Sequence, residues 1–459
     1  MNKTLPNWLS SLADRAMQPV DIAYLACLRI AFGVLLTWLM LDYIWGDIAR
    51  IRFIDPTFHF SYRWFEWVTP LPGVGMYVLL YVLLVAALCI TFGLAYRVAI
   101  WTFFAGWTYY FLIDPAYYLN HYYLVGLLAF LLGLMPAHAA LSVDAKIRPS
   151  LRSATAPVWT LWTIRAQIGI VYFYAGVTKL QPDWLSGDVI RAAVQRWIEM
   201  APVLNSVGEQ PVALLFSYTG LLLDLTIFPG LLWHRSRLFY VILAGCFHLM
   251  NSILFVIDIF PFMAFALTLS FFDPGWPRAL GNRLTSRRNE VQKGHESSTT
   301  VLPPERSYIL FTIIIVFLSV QTLVPLRHFA YPGDHNWTEE GHHFSWHLMS
   351  RAKKGQVAFI ATDPESGKDW LFDPRDYLGA RQAKWMAIDP QLILQFAHFI
   401  GERMADQGFK NVEVRAFSKV SMNGSPSQHF VDPETDLTTI HPWQRTAGWV
   451  VPRKRLIAP

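Results

Sequence analysis

The sequence predicts a polytopic α-helical membrane protein of about eight or nine transmembrane helices, followed by a C-terminal water-facing mixed α/β, β-rich domain. Three observations predict it. Hydrophobic residues make up 54% of the chain and charged residues 15%, whereas soluble domains carry about 25% charged residues. The shortage is local, because apolar runs recur from Asp21 to Pro325 while Arg327 to Pro459 has an ordinary soluble composition. Many of those runs approach the roughly 20 residues that a ~30 Å hydrocarbon core demands.

The elements follow in order. Residues 1–20 mix Asn7-Trp8-Leu9, Leu12 and Met17 with polar residues. They lack the continuous apolar core of a cleaved signal, so an interfacial amphipathic segment is expected. Residues 21–326 form the helical domain, with spans expected over 22–45, 74–94, 97–113, 122–140, 157–180, 211–233 and 307–326. The stretch 238–272 is too long for one span. It reads either as two short helices joined near Met250-Asn251-Ser252 or as a helix followed by a re-entrant segment.

Basic loops at 141–156, 234–237 and 273–306 belong in the cytoplasm. With the N-terminus inside, nine crossings satisfy all three and place 181–210 and the tail on the opposite face. Within the last loop, 279–306 is polar and reads as flexible. In the tail, 327–459, period-two patterns predict strands at Gln356–Ile360 and Val412–Phe417, and helical spacing predicts a helix over Gln391–Met404. No internal repeat is visible, which argues against a repeat-built transporter. The cysteines, Cys27, Cys89 and Cys246, sit in apolar runs without CxxC spacing, as small buried hydrophobes do. The net charge of +5 lies largely in the loops, and no nucleic-acid motif accompanies it.

Polar groups inside spans are expensive and therefore candidate functional residues. Lys179 follows Ala175 and Gly176, small residues that permit close helix approach. It reads either as a snorkelling residue at a span end or as a desolvated amine, neutral through burial and able to act as a base. Asn120 and His121 open an apolar run, as an N-cap with an interfacial histidine or as site residues. His248 and Asn251 sit where the long apolar stretch breaks, as a hydrogen-bonded joint or as a site. Arg29, Arg165, Gln167 and Asp224 also lie within spans, pairing structurally or lining a cavity. The histidines of 337–347 come with neither HExxH nor a cysteine partner, so a solvated or substrate-contacting loop is expected there, with no metal. Asn336-Trp337-Thr338 fits a glycosylation sequon.

Several of these motifs together resemble the vitamin K-dependent gamma-carboxylase family. Phe173 to Trp184, FYAGVTKLQPDW, is similar to the family's catalytic-lysine segment. The likeness continues in order through 56–60, 65–67, 119–121, 247–252, 271–278, 343–346, 430–433 and 442–446. The resemblance implies that a vitamin K hydroquinone is deprotonated, reacts with O2 and becomes a strongly basic alkoxide on the way to its epoxide. The alkoxide takes a γ-proton from glutamate, and CO2 is captured to give γ-carboxyglutamate, with no metal.

On this resemblance Lys179, His121 and Asn120 are the expected catalytic residues. His248, Asn251, Arg165, Gln167 and Trp184 are expected on the quinol, and His342, Trp346 and Arg445 on the glutamyl substrate. Animal members extend further at the C-terminus and show a tyrosine where this chain has His342. The chain thus looks like a bacterial relative in the inner membrane, with a vitamin K hydroquinone or a menaquinol-type quinol and a glutamate-containing peptide or protein as its partners. Two other readings stay open: a quinol epoxidase without carboxylation, and a transporter or lipid-binding protein.

Overall fold

In hydrocarbon a chain must satisfy its own backbone polar groups, and apolar segments do so as helices. The computed structural model describes residues 11, 14–200, 206–254, 257–284 and 304–454. Most of the expected interfacial segment, and 285–303 of the expected polar loop, lie outside the described residues. The N-terminal part contains α1 (Ala23–Trp45), α2 (Gly75–Phe92), α3 (Tyr96–Leu112), α4 (Asn120–Leu134), α5 (Val158–Val177), α6 (Asp188–Met200), α7 (Glu209–Leu232), α8 (Arg237–Leu254), α9 (Phe260–Thr268) and α10 (Pro304–Leu323). Two short strands, β1 (Pro19–Asp21) and β2 (Thr155–Pro157), pair antiparallel at one end.

Among the described residues, four helices are long and apolar enough to cross a membrane: Ala23–Trp45, Gly75–Phe92, Glu209–Leu232 and Ile309–Ala330. Shorter apolar helices cover Asn120–Leu134, Arg237–Ile253 and Phe260–Phe271. The break in the 238–272 stretch falls later than expected. Met250, Asn251 and Ser252 remain helical, and the chain turns at Asp258, whose φ is +45°. The expected loop 279–306 also begins as a helix, Trp276–Leu284.

Close approach of helices explains where the glycines stand. A Cβ on Gly33 would lie 2.6 Å from the Thr91 backbone nitrogen, so α1 and α2 can meet there only without one. Arg29 and Arg165, read as pairing groups or cavity residues, have structural tasks. Fully buried Arg29 donates to the carbonyls of Ile90, Thr91 and Leu141 at 2.8, 2.9 and 2.6 Å, closing the end of α2. Arg165 donates to Ser270 and Phe272 carbonyls beyond α9, at 2.8 to 3.2 Å.

The tail folds as a four-stranded antiparallel sheet in the order β4-β3-β5-β6, comprising β3 (Lys353–Asp363), β4 (Lys368–Phe372), β5 (Glu413–Met422) and β6 (Gln428–His429). On β5, Val414, Ala416, Ser418, Val420 and Met422 are all buried, so alternation marks one covered face. The helix α11 (Pro390–Asp406) covers it, placing Leu392, Phe396 and Ile400 in one core with Phe359, Val414 and Ala416. Both strand expectations and the helix expectation agree with this arrangement.

The two parts interlock. Phe60 and Ala116, from loops between membrane helices, are buried in the tail core, where Asp114 Oδ2 accepts from Gln382 Nε2 at 2.7 Å. In return the tail sends Phe344 and Trp346 against Tyr123 of α4, at ring separations of 5.0 and 5.2 Å. A cavity of about 1060 Å³ lies where they meet.

Candidate active site

Lys179 sits just beyond the end of α5, and small residues bring its partner close. Cβ atoms on Gly169 and Gly176 would lie 2.6 Å from the side chains of Phe228 and Leu225 on α7. That tight crossing presents Asp224, next to Leu225, to the lysine. Lys179 Nζ donates to Asp224 Oδ2 at 2.7 Å, to the Ala175 carbonyl at 2.9 Å and to the Leu348 carbonyl at 3.3 Å. Its amine also lies 5.1 Å from the Trp184 ring, over its face. Lys179 and Asp224 are each 5% exposed, and both line the cavity. Snorkelling to the headgroups is thereby excluded. The amine is buried, but it is not solitary: it has a carboxyl partner and two carbonyls.

The cavity wall collects other expected residues. Asn120, His121, His248, Asn251, Trp184 and His342 all line it. Asn120 Oδ1 accepts from the Tyr118 hydroxyl at 2.9 Å, and its Nδ2 reaches the His347 carbonyl at 3.4 Å. His248 Nε2 shares a 2.6 Å hydrogen bond with the Tyr172 hydroxyl, while its Nδ1 is buried without a hydrogen-bond partner among the described residues. His121 Nε2 lies 3.6 Å from Asp258 Oδ2, and that carboxylate also accepts from the Tyr122 hydroxyl at 2.8 Å. Trp184 is fixed by its Nε1 donating to the Ser217 carbonyl at 2.9 Å. Apolar side chains such as Ile168, Val171, Leu215, Phe247 and Phe260 make up the membrane-side wall.

Four expected residues, Arg165, Gln167, Trp346 and Arg445, do not line that wall. Arg165 caps the segment after α9, as described. Gln167 is fully buried within α5, both amide atoms without hydrogen-bond partners among the described residues. Trp346 is fully buried and packed on Tyr123, so it positions the loop from within the core. Arg445 is exposed and stands over the Tyr331 ring at 4.9 Å. Spacing along the sequence does not separate a polar residue aimed at a cavity from one that satisfies a carbonyl or an aromatic face.

On the tail side, Glu339 holds Arg351 and Lys353 in ion pairs, the latter at 2.8 Å. Arg351 Nη1 lies 3.0 Å from His342 Nε2. Burial, reinforced by Arg351, holds His342 well below the ordinary imidazole value, so it is neutral near pH 7. Arg381 and Lys384 also line the cavity and have no ion-pair partner among the described residues.

Asp389 lines the cavity and caps α11, accepting from the Gln391 amide at 2.9 Å. Burial, with the Glu339 charge adding to it, pushes its carboxyl from 3.8 up to about 6. A carboxyl raised on folding gives stability that is fully present below pH 3.8 and lost as pH rises through about 6. Asn caps a helix as well as Asp does. Asp389→Asn is therefore expected to stabilise the protein at pH 8 by on the order of 2–3 kcal/mol, with little change at pH 4. Thermal melts of the detergent-solubilised protein at the two pH values check this; equal shifts at both would refute it.

Asp224 and Asp258 also line the cavity and are not among the residues expected there from the family resemblance. Asp224 was visible as a charge inside a span; Asp258 had only its place beside the helix break as a signal.

Comparison with known proteins bears on both parts of the chain. Residues 17–276 match the family model of the HTTM domain, and residues 306–455 match that of the vitamin K-dependent gamma-carboxylase, lumenal domain. No solved structure matches the chain. The two matches follow each other along the sequence, one over the helices that frame the cavity and one over the tail that closes it, and the chain belongs to the vitamin K-dependent gamma-carboxylase family.

Proposed function

We propose that the protein is a membrane-bound gamma-glutamyl carboxylase that couples oxidation of a vitamin K-type hydroquinone to its epoxide with CO2 addition to glutamate, and that Lys179 deprotonates the quinol. The observation that carries this reading is a buried amine surrounded by acceptors on the wall of a large, mainly apolar cavity. A lipophilic quinol fits such a wall, and the buried Nδ1 of His248 offers a polar group still in need of a partner.

Removing the quinol proton turns the Lys179 amine into an ammonium, and Asp224, Ala175 and Leu348 supply one acceptor for each of its three N–H groups. When bound, the reduced quinone together with O2 would supply a base stronger than any side chain, and the apolar part of the cavity wall would limit the access of water that quenches it. His121, with Asp258 beside it, orients the quinol oxygen, and Asn120 holds the tail loop through the His347 carbonyl. His248, Asn251 and Trp184 hold the ring. The glutamyl carboxylate meets Arg381 and Lys384 on the tail side, next to neutral His342.

The helical domain, 21–326, then carries the quinol chemistry, and the tail, 327–459, closes the substrate side. The basic loops orient the N-terminus toward the cytoplasm of a bacterial cell and the tail away from it. Purified protein in lipid bilayers, given reduced vitamin K or menaquinol, labelled bicarbonate and a short glutamyl peptide, is expected to form quinone epoxide and fixed label together. Epoxide without fixed label would select a quinol epoxidase instead. Neither product with either quinol would defeat the proposal.

A further inference from the structure

Three histidines of the tail converge at the edge of the cavity, which His347 lines. His328 lies in the 3-10 stretch Val324–Ala330, His335 opens the short helix His335–Thr338, and His347 belongs to the loop before β3. Each offers one ring nitrogen, and the three nitrogens all lie within 4.8 Å of one another. The rings form a closed triangle, with centroids 4.4, 5.1 and 5.0 Å apart.

Two further features point to a ligand. His347 is 3% exposed, yet neither of its ring nitrogens has a hydrogen-bond partner among the described residues. Buried polar groups are nearly always satisfied, so an imidazole left empty on both sides lacks something. His328 Nδ1 lies 2.7 Å from the Pro325 carbonyl oxygen. A carbonyl only accepts, so that nitrogen carries the proton and Nε2 presents a lone pair. A carbonyl holding the far nitrogen is the usual second contact of a metal-ligating histidine.

We propose that His328, His335 and His347 bind a divalent transition metal, zinc in the first instance, with a fourth position open to water. Three neutral nitrogen donors suit zinc and its neighbours; calcium and magnesium demand oxygen. Zn–N bonds of about 2.0–2.1 Å place tetrahedral ligands roughly 3.3 Å apart, which side-chain rotations reach from the present spacing. Arg327 and Arg351 are close, but each is engaged: Arg327 donates to the His343 carbonyl and Arg351 is paired with Glu339. The metal would tie the end of the last membrane helix to the loop whose Leu348 carbonyl accepts from Lys179. It takes no part in the proton removal proposed above, and its test needs no quinol.

The test uses full-length, tag-free protein in detergent, stripped with chelator and then titrated with zinc or cobalt(II). About one equivalent of zinc should survive dialysis, and cobalt(II) should give the intense visible d–d bands of a four-coordinate site. His335 is only half-buried, so His335→Gln should leave the fold intact while weakening zinc binding by roughly a hundredfold. His347→Gln should remove the cobalt bands. The proposal is overturned if no equivalent is retained, if cobalt stays octahedral and pale, or if His335→Gln binds zinc as the unaltered protein does.

Discussion

Lys179→Ala is expected to remove both epoxide formation and carbon fixation, by roughly a thousandfold or more. General-base catalysis contributes about 10²–10⁴ in rate, and here the proton removal precedes every later step. The two products must vanish together, because the glutamyl proton can be taken only after the quinol has been activated. The loss would be in turnover and not in quinol binding, since Ile168, Val171 and Phe247 still line the cavity. Measuring epoxide, fixed label and quinol affinity on the same preparation checks this. Full epoxidation by the variant would mean that another group takes the quinol proton.

How much of this could be read beforehand depended on the range of the interaction concerned. Apolar runs and period-two strands are local patterns, so the helical part, the tail sheet and the helix Pro390–Asp406 were all legible. Lys179 was visible because Ala175 and Gly176 precede it, and the family resemblance raised it above a snorkelling residue. Two of its three acceptors were not, because Asp224 lies 45 residues away and Leu348 169 away. Arg29 and Arg165 look like intramembrane functional charges, and only the carbonyls they reach show otherwise. Trp346, expected on the glutamyl substrate, lies in the core, fully buried against Tyr123 of α4. The helix break was placed too early: Asn251 is compatible with helix, while Asp258 tolerates the positive φ that turns the chain.

The Lys179–Asp224 pair also makes a prediction about stability that separates folding from chemistry. Both side chains are nearly enclosed, at 7% and 6% exposure, and 2.7 Å apart. Breaking such a pair by removing one member costs about 3–5 kcal/mol, because a polar group remains buried without its counterpart. Asp224→Ala should therefore lower the melting temperature by many degrees, and Lys179→Ala should do likewise. Replacing both together with apolar residues of similar volume, as in Lys179→Met with Asp224→Leu, removes the orphaned group and should recover most of the stability. That double variant is the decisive control: folded and inserted, filled with quinol, and inert. If it melts as low as either single variant, the pair is not a self-contained unit and other contacts hold this end of α5. If it is stable and still forms epoxide, the amine has no role in removing the quinol proton, whatever its place in the cavity.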